Sequence, residues 1–236
     1  MNNNQHGFRV STEDEDDEWV VVHQGAPTNT NPRSLVEVVV NTRPICPNMT
    51  NKEFRREVMR ARDIGVELVK KRIKTVTLWD EKEQERAQLY FGRADMEIRH
   101  TLGAGLPRLL RAMQELVPEK IIRWDSKTGK VLSCGRLEPD SPQVHAAVCK
   151  PDSEKRIIVI HAAFCESPFG HLSNVCKVKT IIHECTHYID TFDSKDHIYA
   201  DSEAGASIWA KNHPNVAIEN ADSITGYIAT FDTKIK

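Results

Sequence analysis

The chain has 236 residues, 39% of them hydrophobic and 28% charged, with a formal net charge of −2. That balance supports one soluble domain with a sizeable core and excludes the strongly basic field of a nucleic-acid binder. No apolar run is long enough to cross a membrane, and the acidic N-terminus lacks the basic-then-apolar order of a signal peptide. The expected location is therefore the cytoplasm, or a host or target cell reached by export without a cleavable signal.

Residues 1–34 read as a disordered acidic tail with little to bury, leaving 35–236 as the folded domain. Inside the tail an acidic block runs into Trp19 and, three residues on, Val22. An aromatic and an aliphatic residue so spaced can add a strand to a partner's sheet edge, filling two pockets while the acids meet a basic rim. This stretch resembles the short motif that binds autophagy ubiquitin-like proteins; the bland alternative is a solvated tail or a strand packed on the domain.

Residues 35–40 read as a short strand. Thr50 and Glu53 form a capping-box signature, and helix follows to about residue 74 with Phe54, Val58, Ala61, Ile64 and Leu68 as its apolar stripe. A second helix is expected at 78–91 and a third helical region at 95–117. There Leu102, Leu106, Leu109 and Met113 form a core face, and Gly103, Gly105 and Pro107 are expected to divide the segment. From Ile121 the pattern turns to strands, at 144–149 and 157–161, with a turn within 124–131. The six cysteines are scattered, with no CxxC pair, and read as mostly reduced, buried thiols of an intracellular protein.

The stretch with the most chemistry is His183-Glu184-Cys185-Thr186-His187, an HExxH pattern. On a helix, histidines at i and i+4 stand one above the other and can hold one Zn²⁺, while the glutamate beside them takes a proton from water. Val178, Ile181, Ile182, Cys185 and Ile189 form the apolar stripe on the other side, and Ser173 or Asn174 is the expected cap. The bland alternative is a chance pair of surface histidines. A hydrolytic zinc site also needs a third protein ligand. Asp193 stands six residues after His187, but the glycine that would turn the chain back is replaced by Asp190. Glu203 and Glu219 are further candidates, and Asp196, in a loop nine residues after His187, can swing back over the helix end without a special glycine.

Here the residues carry a family resemblance. His183, Glu184 and His187, followed by Asp196 and Tyr199, are similar to the aspzincin metallopeptidases, the deuterolysin and peptidyl-Lys metalloendopeptidase group, whose pattern is HExxH followed by GTxDxxYG. Residues 160–164, Tyr90-Phe91-Gly92 and the block at 213–228 resemble further segments of that family, so the likeness spans roughly residues 50–231. It implies an α+β fold, mainly helical and zincin-like, with a small β-sheet beside the HExxH helix. It also implies zinc held by His183, His187 and Asp196, Glu184 as general base, and Tyr199 as donor to the oxyanion on the scissile carbonyl of a protein or peptide substrate.

Departures from the pattern matter too. The family's GTxD is Asp193-Ser194-Lys195-Asp196 here, and its final glycine is Ala200, so the loop is expected to be stiffer or to close differently. Lysine-selective members hold the residue after the cut with two acids; Asp222 matches one, and Thr225 stands in place of the other. A weakened or altered preference for lysine after the cut is expected. Without a clear signal peptide or disulfides, the reading is of an effector or toxin working inside a cell. The alternative function is a catalytically weak zinc fold recruited through Trp19 and Val22; a zinc hydrolase or deamidase acting on another bond would keep the same ligands.

Overall fold

The computed structural model describes residues 19–25, 36–41, 44–124, 132–134, 143–171, 175–200 and 202–230. Strands β1 (Trp19–Gly25) and β2 (Val36–Asn41) pair antiparallel, with a register shift between Val21 and His23. The run Trp19-Val20-Val21-Val22 is rich in residues that suit a pleated strand, so β1 lies inside the stretch read from sequence as unstructured tail. The side chains of Trp19 and Val22 and the acidic block before them lie outside the described residues.

Three long helices follow. α1 (Asn51–Leu78) starts on the expected capping box, with Thr50 and Glu53 satisfying each other's backbone N–H groups. α2 (Glu81–Phe91) is capped by Asp80 and ends at Gly92, whose φ of +70° brings the chain against Ala210. A Cβ there would fall 2.3 Å from the Ala210 carbonyl oxygen, so only glycine fits. α3 (Met96–Gln114) is continuous, not divided: Pro107 sits inside it, and Gly105 admits the ring of Phe192, which a Cβ would meet at 2.2 Å. The glycine serves a tertiary contact, and the proline costs one hydrogen bond that the packed helix tolerates. Leu102, Leu106, Leu109 and Met113 are fully buried as expected, whereas Met96 at the first turn is exposed.

A three-stranded sheet is built from β3 (Ile121–Arg123), β4 (Ala146–Val148) and β5 (Ile158–Ile160), in the order β3-β5-β4. β3 runs parallel and β4 antiparallel to the central β5, with Ile158 facing Ile121 on one side and Val148 on the other. α4 (Ala162–Glu166) leads to α5 (Lys177–Thr186), which carries the HExxH pattern; α6 (Glu203–Asn212) and α7 (Ala221–Ala229) close the chain. The architecture is α+β and mainly helical, with α5 packed against α1, α7 and the edge strand β4.

Two internal ties hold this arrangement. Arg72 of α1 donates to Glu83 of α2 at 3.0 Å, and the Tyr227 hydroxyl of α7 donates to the same carboxylate, all three side chains being buried. Cysteine pairing corrects the expectation of reduced thiols: Cys46 is bonded to Cys165 and Cys134 to Cys149. The first bridge joins residues 119 apart in the chain, a pairing no local spacing announces. Cys176 and Cys185 remain as free, buried thiols. Among the described residues no helix is long and apolar enough to cross a membrane.

Candidate active site

α5 divides its two faces as its periodicity demands. Val178, Ile181, Ile182 and Cys185 are fully buried, and His183 opens on the opposite side. The N-cap is Cys176, without a side-chain cap, while Ser173 and Asn174 lie outside the described residues. The helix ends with His187 as C-cap, so Ile189 falls beyond it. Its side chain is exposed, not part of the buried stripe, and its N–H donates to Ser153 Oγ at 2.9 Å.

The chain then doubles back. Thr191 donates its hydroxyl toward the carbonyls of Cys185, Thr186 and Tyr188, satisfying acceptors that the helix end leaves open. Asp193 takes a left-handed conformation with φ of +50°, one of the few non-glycine residues that does so at modest cost. Lys150 Nζ holds it by two bonds, at 2.8 Å to its carboxylate and 3.1 Å to its carbonyl. The expected change in loop closure is thus absorbed at one residue: where the family pattern has glycine, aspartate makes the turn. Asp190, by contrast, keeps a negative φ, and Arg156 Nη1 and Nη2 occupy its carboxylate at 2.6 and 2.5 Å.

The return brings Asp196 over the two histidines. Its Oδ1 lies 3.1 Å from His183 Nε2 and 3.4 Å from His187 Nε2. These three ligand atoms all lie within 4.8 Å of one another and form the one metal-competent group found among the described residues. Asp193 is engaged by Lys150 and Glu219 by Lys195, and Glu203, though it lines the same cavity as His183, is not part of the metal-competent group.

Hydrogen bonding tests whether a cation fits. His187 Nδ1 lies 3.0 Å from the Ser194 carbonyl, an acceptor only, so Nδ1 carries the proton and Nε2 of the neutral ring presents a lone pair. That lone pair faces a carboxylate oxygen, an arrangement that suits a metal ion between them. A tetrahedral ion with bonds of about 2.0–2.1 Å spaces its ligands about 3.3 Å apart, close to the two distances seen. Zinc fits the donor set of two imidazoles and one carboxylate. Without the ion, burial alone would raise the Asp196 carboxyl, but hydrogen bonds from both imidazoles hold it well below the usual carboxylate range. Burial would lower His187, and its bonds to Asp196 raise it instead.

Glu184 is buried beside His183 in the wall of a cavity of about 450 Å³. Burial pushes its carboxyl upward against the pull of both histidines. Tyr199 stacks on His183, ring centroids 5.8 Å apart, with most of its ring in solvent. Burial of its hydroxyl, then the charge of Asp196, pushes that phenol above its ordinary pKa, so it stays a donor at neutral pH. Asp222 lines the same cavity and accepts the Ala200 N–H at 3.0 Å. Burial raises its carboxyl, opposed first by that hydrogen bond. Trp19 and Val22 belong to the β1–β2 pair, and their side chains lie outside the described residues.

Three residues with no role assigned from sequence shape the site. Asn220, fully buried, accepts the N–H groups of His197 and Ile198 on Oδ1 at 2.9 and 3.2 Å and donates to Ser223 at 3.0 Å. With the backbone exchange between Lys195 and Glu219/Ala221, it sews the Asp196 loop to α7. Ser194 bonds Thr186 and His187, and Lys179 lines the cavity one turn before His183. The last was readable as a helix neighbour of His183 at i+4.

The aspzincin family, described as lysine-specific metallo-endopeptidase, matches over residues 78–229. Among solved structures, a zinc peptidase from Grifola frondosa superposes with a TM-score of 0.57 at 15% sequence identity, covering 74% of this chain and 93% of that one. At that identity the likeness speaks for the fold. No curated protein matches the chain. The family match takes in the HExxH helix, the return loop and the cavity-lining part of α7, well over half of the sequence; the chain belongs to the aspzincin family and is a zinc metalloendopeptidase.

Proposed function

We propose that this enzyme cuts peptide bonds within protein substrates, with His183, His187 and Asp196 holding the zinc, Glu184 as general base and Tyr199 as donor to the developing oxyanion. The observation that carries the assignment is the approach of Asp196 Oδ1 to both imidazole Nε2 atoms, beside a buried carboxylate and a phenol in one cavity wall. Zinc, when bound, lowers the pKa of water toward ~7 and polarises a carbonyl. Glu184 takes the proton at its carboxylate; burial makes it a stronger base than an exposed glutamate. Tyr199 keeps its proton and offers it as a hydrogen bond to charge that exists only later in the reaction. An extended chain suits the cleft: β4 pairs only with β5 among the described residues, and Val144, His145 and Ala146 line the cavity beside it.

Two finer readings belong here. The preference for lysine after the cut is weakened, because the half-buried Asp222 lacks a second acid at Thr225. The enzyme acts after export, in or by way of an oxidising space, since two disulfides are characteristic of such compartments. The effector role, and partner binding through Trp19 and Val22 to an autophagy ubiquitin-like protein, rest on the sequence alone: the acidic block before an aromatic and an aliphatic residue at motif spacing.

The test is to incubate the zinc-loaded wild type and Glu184→Ala with a mixture of proteins and map new N-termini. Wild type is expected to generate them, and the variant to lose at least ~100-fold of the rate while still binding zinc. Equal cleavage by both would sink the mechanism. Capture of a ubiquitin-like protein that needs Trp19 and Val22 but not Glu184 would favour the binding-module alternative.

A further inference from the structure

The cavity beside the metal ligands is lined by Lys179, Tyr90, Glu203, Asp222 and Thr225 as well as His183. Lys179 lies one turn before His183 on α5, so its side chain shares the cleft-facing side of the helix instead of the core-facing side. It is buried, with relative exposure of only 9%. It lines the same cavity as Asp222, and burial lowers its pKa, opposed by the charges of Cys176 and Asp222. A cation of the protein's own thus shares the cavity that a substrate lysine would enter. A second observation points the same way. Thr225 is buried at 3% exposure and lines the cavity without a charge, so no second acid stands there to meet an incoming ammonium.

We infer that Lys179 is a specificity-determining residue, and that with Asp222 and Thr225 it selects an uncharged carboxamide side chain, glutamine above all, for the residue after the cut. An amide presents an acceptor to the Lys179 ammonium and donors to the Asp222 carboxylate. A lysine would place two ammonium groups in one small cavity, and a glutamate would set its carboxylate beside Asp222 and Glu203. The inference rests on the cavity receiving the residue after the cut, as proposed above, and it replaces a weakened lysine preference with a named selection.

Peptides differing only in that residue (Gln, Met, Lys or Glu) test it with zinc-loaded wild type and the variants Lys179→Met and Lys179→Gln. The Gln peptide is expected to show a kcat/KM at least about tenfold above the Lys and Glu peptides and about threefold above Met. In the variants, the Lys-to-Gln ratio is expected to rise by about tenfold. Lys or Met cut as fast as Gln by the wild type, or a ratio unmoved in folded variants, overturns the inference. The wild-type order decides even where a variant misfolds. Calorimetric binding of the product-like tripeptides Gln-Gly-Gly and Lys-Gly-Gly to the zinc-loaded wild type gives the same order without turnover. A protein that cuts no peptide counts against the proposed activity, whereas tripeptides that fail to bind, or a tighter Lys-Gly-Gly, count against this selection.

Discussion

The return loop and the specificity cavity both depart from the aspzincin pattern, with opposite consequences. In the loop, aspartate and serine replace glycine and threonine, yet Asp196 still reaches both imidazoles. Backbone geometry is what the loop must deliver, and several residues share the work: Thr191 closes the helix end, Asp193 makes the left-handed turn, and Asn220 pins the segment after Asp196. In the cavity, the proposed selection depends on side-chain charge itself, so the loss of an acid at Thr225, beside Lys179, changes what can be held there. A scaffold can exchange residues that reach one conformation by different means. A pocket that reads charge has no such freedom.

The sharpest way to break this contrast is to remove the residue the loop exists to deliver. Asp196→Ala takes away one of three ligands from a partly exposed position, so the fold should survive. Zinc affinity is expected to fall by more than about a hundredfold, beyond the ~10–100-fold typical of outer hydrogen-bond partners, and activity with it. Metal analysis after gel filtration checks this; one tightly held zinc per chain in the variant would remove Asp196 from the ligand set. Chelation of the wild type should abolish activity in the same way, and added zinc should restore it.

A smaller loss is expected at Asn220, which touches neither metal nor substrate. Asn220→Ala frees the N–H groups of His197 and Ile198 and leaves the Asp196 loop tied to the α7 side through Lys195, with Glu219 and Ala221, and through Ala200 with Asp222. Zinc affinity and kcat are expected to drop by about 10–100-fold. Asn220→Asp, which keeps an acceptor, should recover part of both. Zinc titration separates this positioning role from simple destabilisation, because a merely loosened fold would shift the melting temperature and leave the affinity of the folded form unchanged.

How much could be read in advance follows from the range of the forces involved. The capping box at Thr50 and the stripe of α5 depend on neighbours a few residues away, so they are legible in the chain. So is the resemblance that joins His183, Glu184 and His187 to Asp196. What failed depended on distant contacts. Gly105 looked like a helix breaker but makes room for Phe192, and Cys46 found a partner 119 residues away. Lys179 is a different case: its place one turn before His183 is visible in the chain, but the carboxylate that shares its cavity comes from α7. Reduction of the two disulfides should therefore cost stability, by about 2–5 kcal/mol for a native bridge, measurable by denaturant unfolding with and without reductant.

The smallest expected effect sharpens the comparison most, because it restores the family's own residue. Asp193→Gly places glycine at a φ of +50°, relieving a left-handed conformation that costs a side-chain-bearing residue about 1–2 kcal/mol. Two losses oppose that gain. Glycine adds unfolded-state entropy worth about 0.4–1 kcal/mol, and the ion pair to Lys150, 34% and 57% exposed at its two ends, contributes up to about 1 kcal/mol. The terms nearly cancel, so stability should stay within about 1 kcal/mol of the wild type. Zinc affinity should also hold, since Ser194 would still accept from His187 and Asn220 would still hold the segment beyond. Thermal unfolding and zinc titration of the variant decide the point. A collapse of zinc binding would mean that the Lys150–Asp193 pair, and not the turn alone, sets the position of Asp196. The loop would then be as exacting about its side chains as the cavity is.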